Sequence, residues 1–134
     1  MDLTMEKYLR DGERIDDLGI AGLRIIQNPN KFCFGIDAVM LANFATVKKG
    51  DTVVDFGTGT GIIPIILAGK TKASKIIGIE IQEDMAEMAQ RSVAMNGLDD
   101  RVKVLAGDLK CACSLVGEGK ADLVVSNPPY MNDG

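Results

Sequence analysis

The feature that most restricts this chain is a glycine-rich string, Asp55-Phe56-Gly57-Thr58-Gly59-Thr60-Gly61, set between Thr52-Val53-Val54 and the apolar stretch Ile62 to Ala68. The short β-branched run reads as a buried strand, and the longer apolar stretch reads as a helix. Three glycines between them force a sharp turn. In such a turn the backbone can come within contact distance of a ligand, and the first N–H groups of the new helix lie unpaired beside it.

The same unit repeats downstream. Lys75 to Glu80 reads as a second strand, and Glu83 to Asn96 as an amphipathic helix stopped by Gly97. Arg101 to Leu105 alternates like a third strand with one wetter face, and Ala121 to Ser126 reads as a fourth. Strands alternating with helices at this spacing predict an α/β fold with a doubly wound parallel sheet and right-handed crossovers. Upstream, residues 1–17 form a charged start. Gly19 and Gly22 then mark a turn before Leu23 to Gln27, a short strand or hairpin. Asp37 reads as the cap of a helix from Ala38 to Ala45, with Val39, Ala42 and Phe44 facing inward. We therefore divide the chain into an N-terminal hairpin and helix extension, 1–48, and an α/β domain, 49–134.

Composition removes several classes of function. The hydrophobic fraction of 46% suits one globular core, and no apolar run approaches the roughly 20 residues that span a bilayer. The start lacks the basic head and apolar centre of a signal peptide, so a cytoplasmic location is expected. There is no histidine, which removes imidazole bases and His-paired nucleophiles. Cys33, Cys111 and Cys113 lack a C-x-x-C spacing and read as reduced structural thiols, so no metal site is expected. The net charge of -4 opposes strong autonomous binding to a polyanion, and any grip on RNA is expected to lie mostly outside this chain.

Four groups of residues carry candidate chemistry. The glycine turn is spaced G-x-G-x-G after an acid, unlike the dinucleotide fingerprint, and it lacks the G-K-[ST] of a P-loop. Asp55 at the strand's carboxyl end would repel a pyrophosphate and attract an ammonium. About 20 residues further on, Glu80 ends the second strand, where a carboxylate can accept hydrogen bonds from both ribose hydroxyls. Ile81 follows it, and Asp108-Leu109 follow the third strand, where a carboxylate can accept from an exocyclic adenine amine. Directly after the fourth strand comes Asn127-Pro128-Pro129-Tyr130. Two prolines stiffen that loop, so the Asn127 amide and the Pro128 carbonyl can converge on an N–H₂ group while Tyr130 offers a face for stacking.

Together these residues resemble class I S-adenosylmethionine methyltransferases, which are Rossmann-like. Asp55 to Gly61 is similar to their first motif, Glu80 to their acidic ribose ligand, and Asn127 to Tyr130 to the N-P-P-Y motif of their amino-directed members. The segment Lys31-Phe32-Cys33-Phe34-Gly35-Ile36-Asp37-Ala38 resembles more narrowly the bacterial tRNA(Val) adenine-N6 methyltransferases. The resemblance implies that Asp55, Gly57, Thr58, Gly59, Gly61, Glu80, Ile81, Asp108, Leu109 and Asn127 hold S-adenosylmethionine, with Phe34 and Asp37 close by. It further implies that Asn127, Pro128, Pro129 and Tyr130 present an adenine amine of tRNA to the methyl group. Members of the family continue past N-P-P-Y, so the chain is expected to be the N-terminal portion of such a domain, a monomer or a weak dimer through an exposed sheet edge. Two other readings remain open: a protein-glutamine N5 methyltransferase, and a nonenzymatic cofactor-binding or assembly fragment.

Overall fold

A computed structural model describes residues 3–29, 36–108 and 121–126. The N-terminal part holds α1 (Leu3–Glu6), the antiparallel pair β1 (Arg14–Asp17) and β2 (Arg24–Gln27), and α2 (Ile36–Phe44). Then follow β3 (Thr52–Phe56), α3 (Ile62–Lys70), β4 (Lys75–Glu80), α4 (Glu83–Met95), β5 (Val102–Ala106) and β6 (Leu123–Ser126). Strands β3 to β6 form one sheet, ordered β5-β4-β3-β6, in which every pairing is parallel.

The alternation of side chains across each strand splits the core into two faces. On one, Val53, Ile76, Val102, Val104 and Val125 meet Ile62, Ile63, Ile65, Ile66 and Leu67 of α3, Ala86, Ala89 and Val93 of α4, and Ala38 and Ala42 of α2. Burying each large aliphatic side chain of α3 contributes about 1.5–3 kcal/mol relative to leaving it exposed. Val54, Ile77 and Ile79 form a separate cluster on the other face with Phe56, Leu105 and Ala121. The described helices α2, α3 and α4 thus share the first face, and the second helical layer of a doubly wound sheet is not among the described residues. Arg101, just before β5, closes the far end of α3. Its guanidinium donates to the carbonyls of Ala68 at 2.9 Å, Thr71 at 3.2 Å and Ala73 at 2.9 Å, satisfying acceptors that a helix end leaves unpaired.

The hairpin is part of this core, since Leu23 and Ile25 join the first-face cluster. One edge of β2 pairs with β1, and its other edge pairs with α4. Asn96 accepts from the Arg24 N–H at 2.9 Å and donates to its carbonyl at 2.6 Å, and Ser92 Oγ accepts from the Ile26 N–H at 2.9 Å. Arg91, one residue before Ser92, donates to Glu13 Oε2 at 2.8 Å, to Glu87 Oε2 at 2.7 Å and to the Tyr8 carbonyl at 2.6 Å.

Three expectations from the sequence need correction. Residues 1–17 hold more than a charged start: Arg14-Ile15-Asp16-Asp17 becomes a strand because β2 lies opposite to pair with it. Asp37 lies inside the first turn of α2 rather than capping it from outside. Phe44, expected to face inward, is 78% exposed, because α2 presents Ala38 and Ala42 to α3 and the last turn points Phe44 away.

Candidate functional site

Parallel pairing brings the carboxyl ends of the four sheet strands to one level. Phe56 is paired with Ile79 on one side and Ser126 on the other, and Glu80 with Ala106. The glycine turn leaves β3 at this level and folds over the end of β4. Gly57 and Thr58 donate to the Ile79 carbonyl at 2.8 and 3.0 Å, and Gly61 donates to the Thr58 carbonyl at 2.9 Å. Gly57, Gly59 and Gly61 have φ of 70°, 58° and 84°, the left-handed region that glycine enters without steric cost. Gly61 then caps α3, and Pro64 is tolerated in the first helical turn because its missing N–H would have had no partner there.

Two carboxylates sit beside this turn. Glu80, 5% exposed, accepts from the Gly59 N–H at 2.9 Å through Oε1 and from the Gln82 N–H at 3.0 Å through Oε2. Each oxygen has a further lone pair for a ligand hydroxyl. Asp55 is fully buried, and among the described residues neither of its oxygens has a hydrogen-bond partner. Desolvation pushes its pKa up to about 7, the neighbouring Thr58 hydroxyl pulls it down, and the negative charge of Glu80 adds to the rise. That hydroxyl lies close to the carboxylate without forming a hydrogen bond of good geometry; Oγ1 of Thr58 and of Thr60 are themselves buried and unpartnered among the described residues. Buried polar atoms are normally paired, so four atoms without a partner among the described residues make this glycine turn a candidate ligand site. Two adjacent carboxylates select one that carries positive charge or several donor groups.

Other residues expected at the site fall as follows. Ile81 is 65% exposed, an apolar side chain standing beside Glu80 at the end of β4. The Gly107 N–H donates to the Glu80 carbonyl at 2.9 Å, which brings the half-buried Asp108 next to that strand end. Asp37 is partly buried in α2. Phe34, Leu109, Asn127, Pro128, Pro129 and Tyr130, with Cys33, Cys111 and Cys113, lie outside the described residues, although Asn127 directly follows Ser126, the partner of Phe56. Among the described residues no group of His, Cys, Asp or Glu is arranged to hold a metal ion. Sequence reasoning missed Thr60 and Gly78. Thr60 is indistinguishable in sequence from Thr58, whereas a glycine inside an apolar strand is itself a sign of close approach and could have been found.

A parallel α/β sheet with a glycine turn and two carboxylates at its strand ends defines a Rossmann-like domain. Residues 23–134 match the family model of the methyltransferase small domain, and the chain belongs to that family. It is 36% identical over 99 residues to the tRNA1(Val) (adenine(37)-N6)-methyltransferase of Phocaeicola vulgatus, an alignment covering 74% of this chain and 41% of that protein. The chain thus spans about two fifths of the length of the curated relatives it matches. Among solved structures it is similar to P. horikoshii TYW2 in complex with MeSAdo, with TM-score 0.70 and 24% identity, covering 86% of this chain and 42% of that one. It is also similar to an RNA methyltransferase from Salinibacter ruber in complex with S-adenosyl-L-homocysteine, with TM-score 0.58 and 26% identity, covering 70% of this chain and 58% of that one. The fold is that of Rossmann-like methyltransferases.

Proposed function

We propose that this chain is the cofactor-binding part of an S-adenosylmethionine-dependent methyltransferase that modifies the N6 amine of adenine in tRNA. The observation that carries this reading is the buried Asp55 carboxylate, without a hydrogen-bond partner among the described residues, beside Glu80 at the glycine turn. That pair suits a nucleoside bearing a cationic amino acid and opposes a pyrophosphate. The similarity to adenine-N6 and RNA methyltransferases supports the choice of substrate.

In this reading the Asp55 carboxylate holds the ammonium group, Glu80 accepts from the ribose hydroxyls, and the side of Gly57, which no described residue approaches within 4 Å of a Cβ built there, admits the ligand against the backbone. Ile81, Asp108 and Leu109 receive the adenine. When bound, the cofactor supplies an electrophilic methyl on a sulfonium. Asn127 and the Pro128 carbonyl accept from the target amine, which favours a tetrahedral nitrogen whose lone pair is free to attack, and Pro129 keeps the loop stiff. The methyl for that nitrogen would come from the bound cofactor, and the Asn127 and Pro128 acceptors would leave the displaced amine proton free to pass to solvent. Tyr130 stacks the extruded base, as chemistry on a nucleobase requires. A cytoplasmic location, and a monomer or weak dimer through a free sheet edge, follow as parts of the same proposal. No described helix is long and apolar enough to cross a membrane.

The test offers radiolabelled S-adenosylmethionine with unmodified tRNA in one tube and an unmethylated release factor in another. Label in tRNA adenine is the expected result. Label in the protein assigns the Asn127 to Tyr130 loop to a glutamine side chain instead, and binding of S-adenosylhomocysteine without transfer to either assigns the chain a binding role alone.

A further inference from the structure

Gly78 sits in the middle of β4, between Ile77 and Ile79, where a β-branched residue would be the favourable choice and glycine weakens the strand. Its place is explained by what occupies the space its side chain would fill. A Cβ built on Gly78 would lie 2.7 Å from Thr58 Oγ1 and 2.9 Å from both Thr58 Cβ and Cγ2. Nonbonded carbon atoms settle about 3.5–4.0 Å apart, so no other residue fits unless Thr58 moves. Thr58 is the second residue of the glycine turn, and the turn is fastened to β4 at the next two residues as well. Gly57 and Thr58 donate to the Ile79 carbonyl, and Gly59 donates to Glu80 Oε1. Three successive residues of β4 therefore hold the turn, and only at Gly78 is the hold a matter of shape.

We propose that Gly78 is a positioning residue for the cofactor site. The side-chain gap at Gly78 seats Thr58, and the depth of that seat sets the height at which the turn passes over β4. This height decides whether Gly59 reaches Glu80 and so whether the carboxylate is aimed before ligand arrives. Gly78 itself touches no ligand; it acts through Thr58 and Gly59. The inference rests on the reading of Glu80 and the glycine turn as a site for a sulfonium nucleoside.

The experiment measures S-adenosylhomocysteine affinity by calorimetry, with the melting temperature of each variant recorded in parallel. Gly78→Ala is expected to lose affinity about tenfold or more in the wild-type chain but to change it little when added to a Thr58→Gly chain, because the atoms it would displace are already gone there. Gly69→Ala is the control. A Cβ there would lie 2.5 Å from Leu23 Cδ1, the movable end of a side chain that packs on α3 away from the turn, and the substitution should leave affinity unchanged whatever it does to the melting temperature. Wild-type affinity in Gly78→Ala, or an equal affinity loss in Gly69→Ala, overturns the proposal. Should Gly78→Ala fail to fold, Thr58→Val removes the hydroxyl and keeps the seat filled, whereas Thr58→Ala empties it; weaker binding in Thr58→Ala than in Thr58→Val at an unchanged melting temperature supports the proposal, and equal binding in the two defeats it. A wild-type chain that binds no S-adenosylhomocysteine defeats the underlying reading as well, whereas normal wild-type binding with indifferent variants defeats this inference alone.

Discussion

Asp55 and Arg91 are both ionisable groups set into the same small core, and their surroundings differ in kind. Arg91 is wrapped by Glu13, Glu87 and the Tyr8 carbonyl, so its charge is met on every side. Those hydrogen bonds raise the Arg91 pKa, led by Glu13, and hold the Glu13 carboxyl below its ordinary value in return. Asp55 is more deeply buried and among the described residues is met by no donor, so desolvation leaves its carboxyl titrating near 7. A satisfied network of this kind closes the hairpin onto α4. An unsatisfied one costs stability in the free protein and is worth keeping only where a ligand completes it.

The sharpest way to break this contrast is Asp55→Asn. If the carboxylate meets an ammonium, S-adenosylhomocysteine affinity should fall about 100-fold, the scale of losing a buried charge-assisted contact. The sign of the stability effect is opposite. The folded-state pKa lies above the unfolded value of 3.8, so the carboxyl penalises the folded state as pH rises from about 4 towards 7, and the penalty is constant above that. Its limit is on the order of 4 kcal/mol. Urea denaturation at pH 5 and pH 8 should therefore show wild type less stable at pH 8, with the difference removed in Asp55→Asn, while wild-type ligand affinity climbs with pH up to about 7. Identical pH profiles in the two proteins would mean that Asp55 finds a partner within the chain.

Arg91→Ala should do the reverse. Removing one member of a mostly buried charged cluster costs about 3–5 kcal/mol and should leave affinity for S-adenosylhomocysteine unchanged. Because Glu13 is held below its ordinary pKa of 4.5, its contribution is fully present above that pH and is lost as pH falls through the folded value. Acid titration of stability should flatten in Glu13→Gln. A large affinity loss in Arg91→Ala would join the two regions that the contrast separates. The smallest effect belongs to Asn96→Ala, which uncovers the Arg24 N–H and carbonyl at about 1–2 kcal/mol; faster hydrogen exchange at the Arg24 amide would report it.

Much of the fold and of the site is legible in the amino-acid order. The four parallel strands follow the apolar runs within a residue or two, and Asp55 and Glu80 lie near the carboxyl ends of β3 and β4 because each stands in the last two positions of its run. Strand β1 is not legible, since Arg14-Ile15-Asp16-Asp17 has little strand character and pairs only because β2 is opposite. Phe44 is misplaced by sequence reasoning because α2 is apolar on nearly every side, so its residues do not say which side meets α3. Arg101 looks like any surface arginine until α3 ends beside it.

The sequence alone determined the alternation of strand and helix and the positions of the glycine turn and its acids, because periodicity and glycine's freedom act over a few neighbouring residues. Tertiary structure alone decided the order β5-β4-β3-β6, the closing of the hairpin on α4, the seating of Thr58 against Gly78 and the burial that lifts the Asp55 pKa. Each of these depends on groups far apart in the chain, and desolvation and close packing exist only once those groups have met.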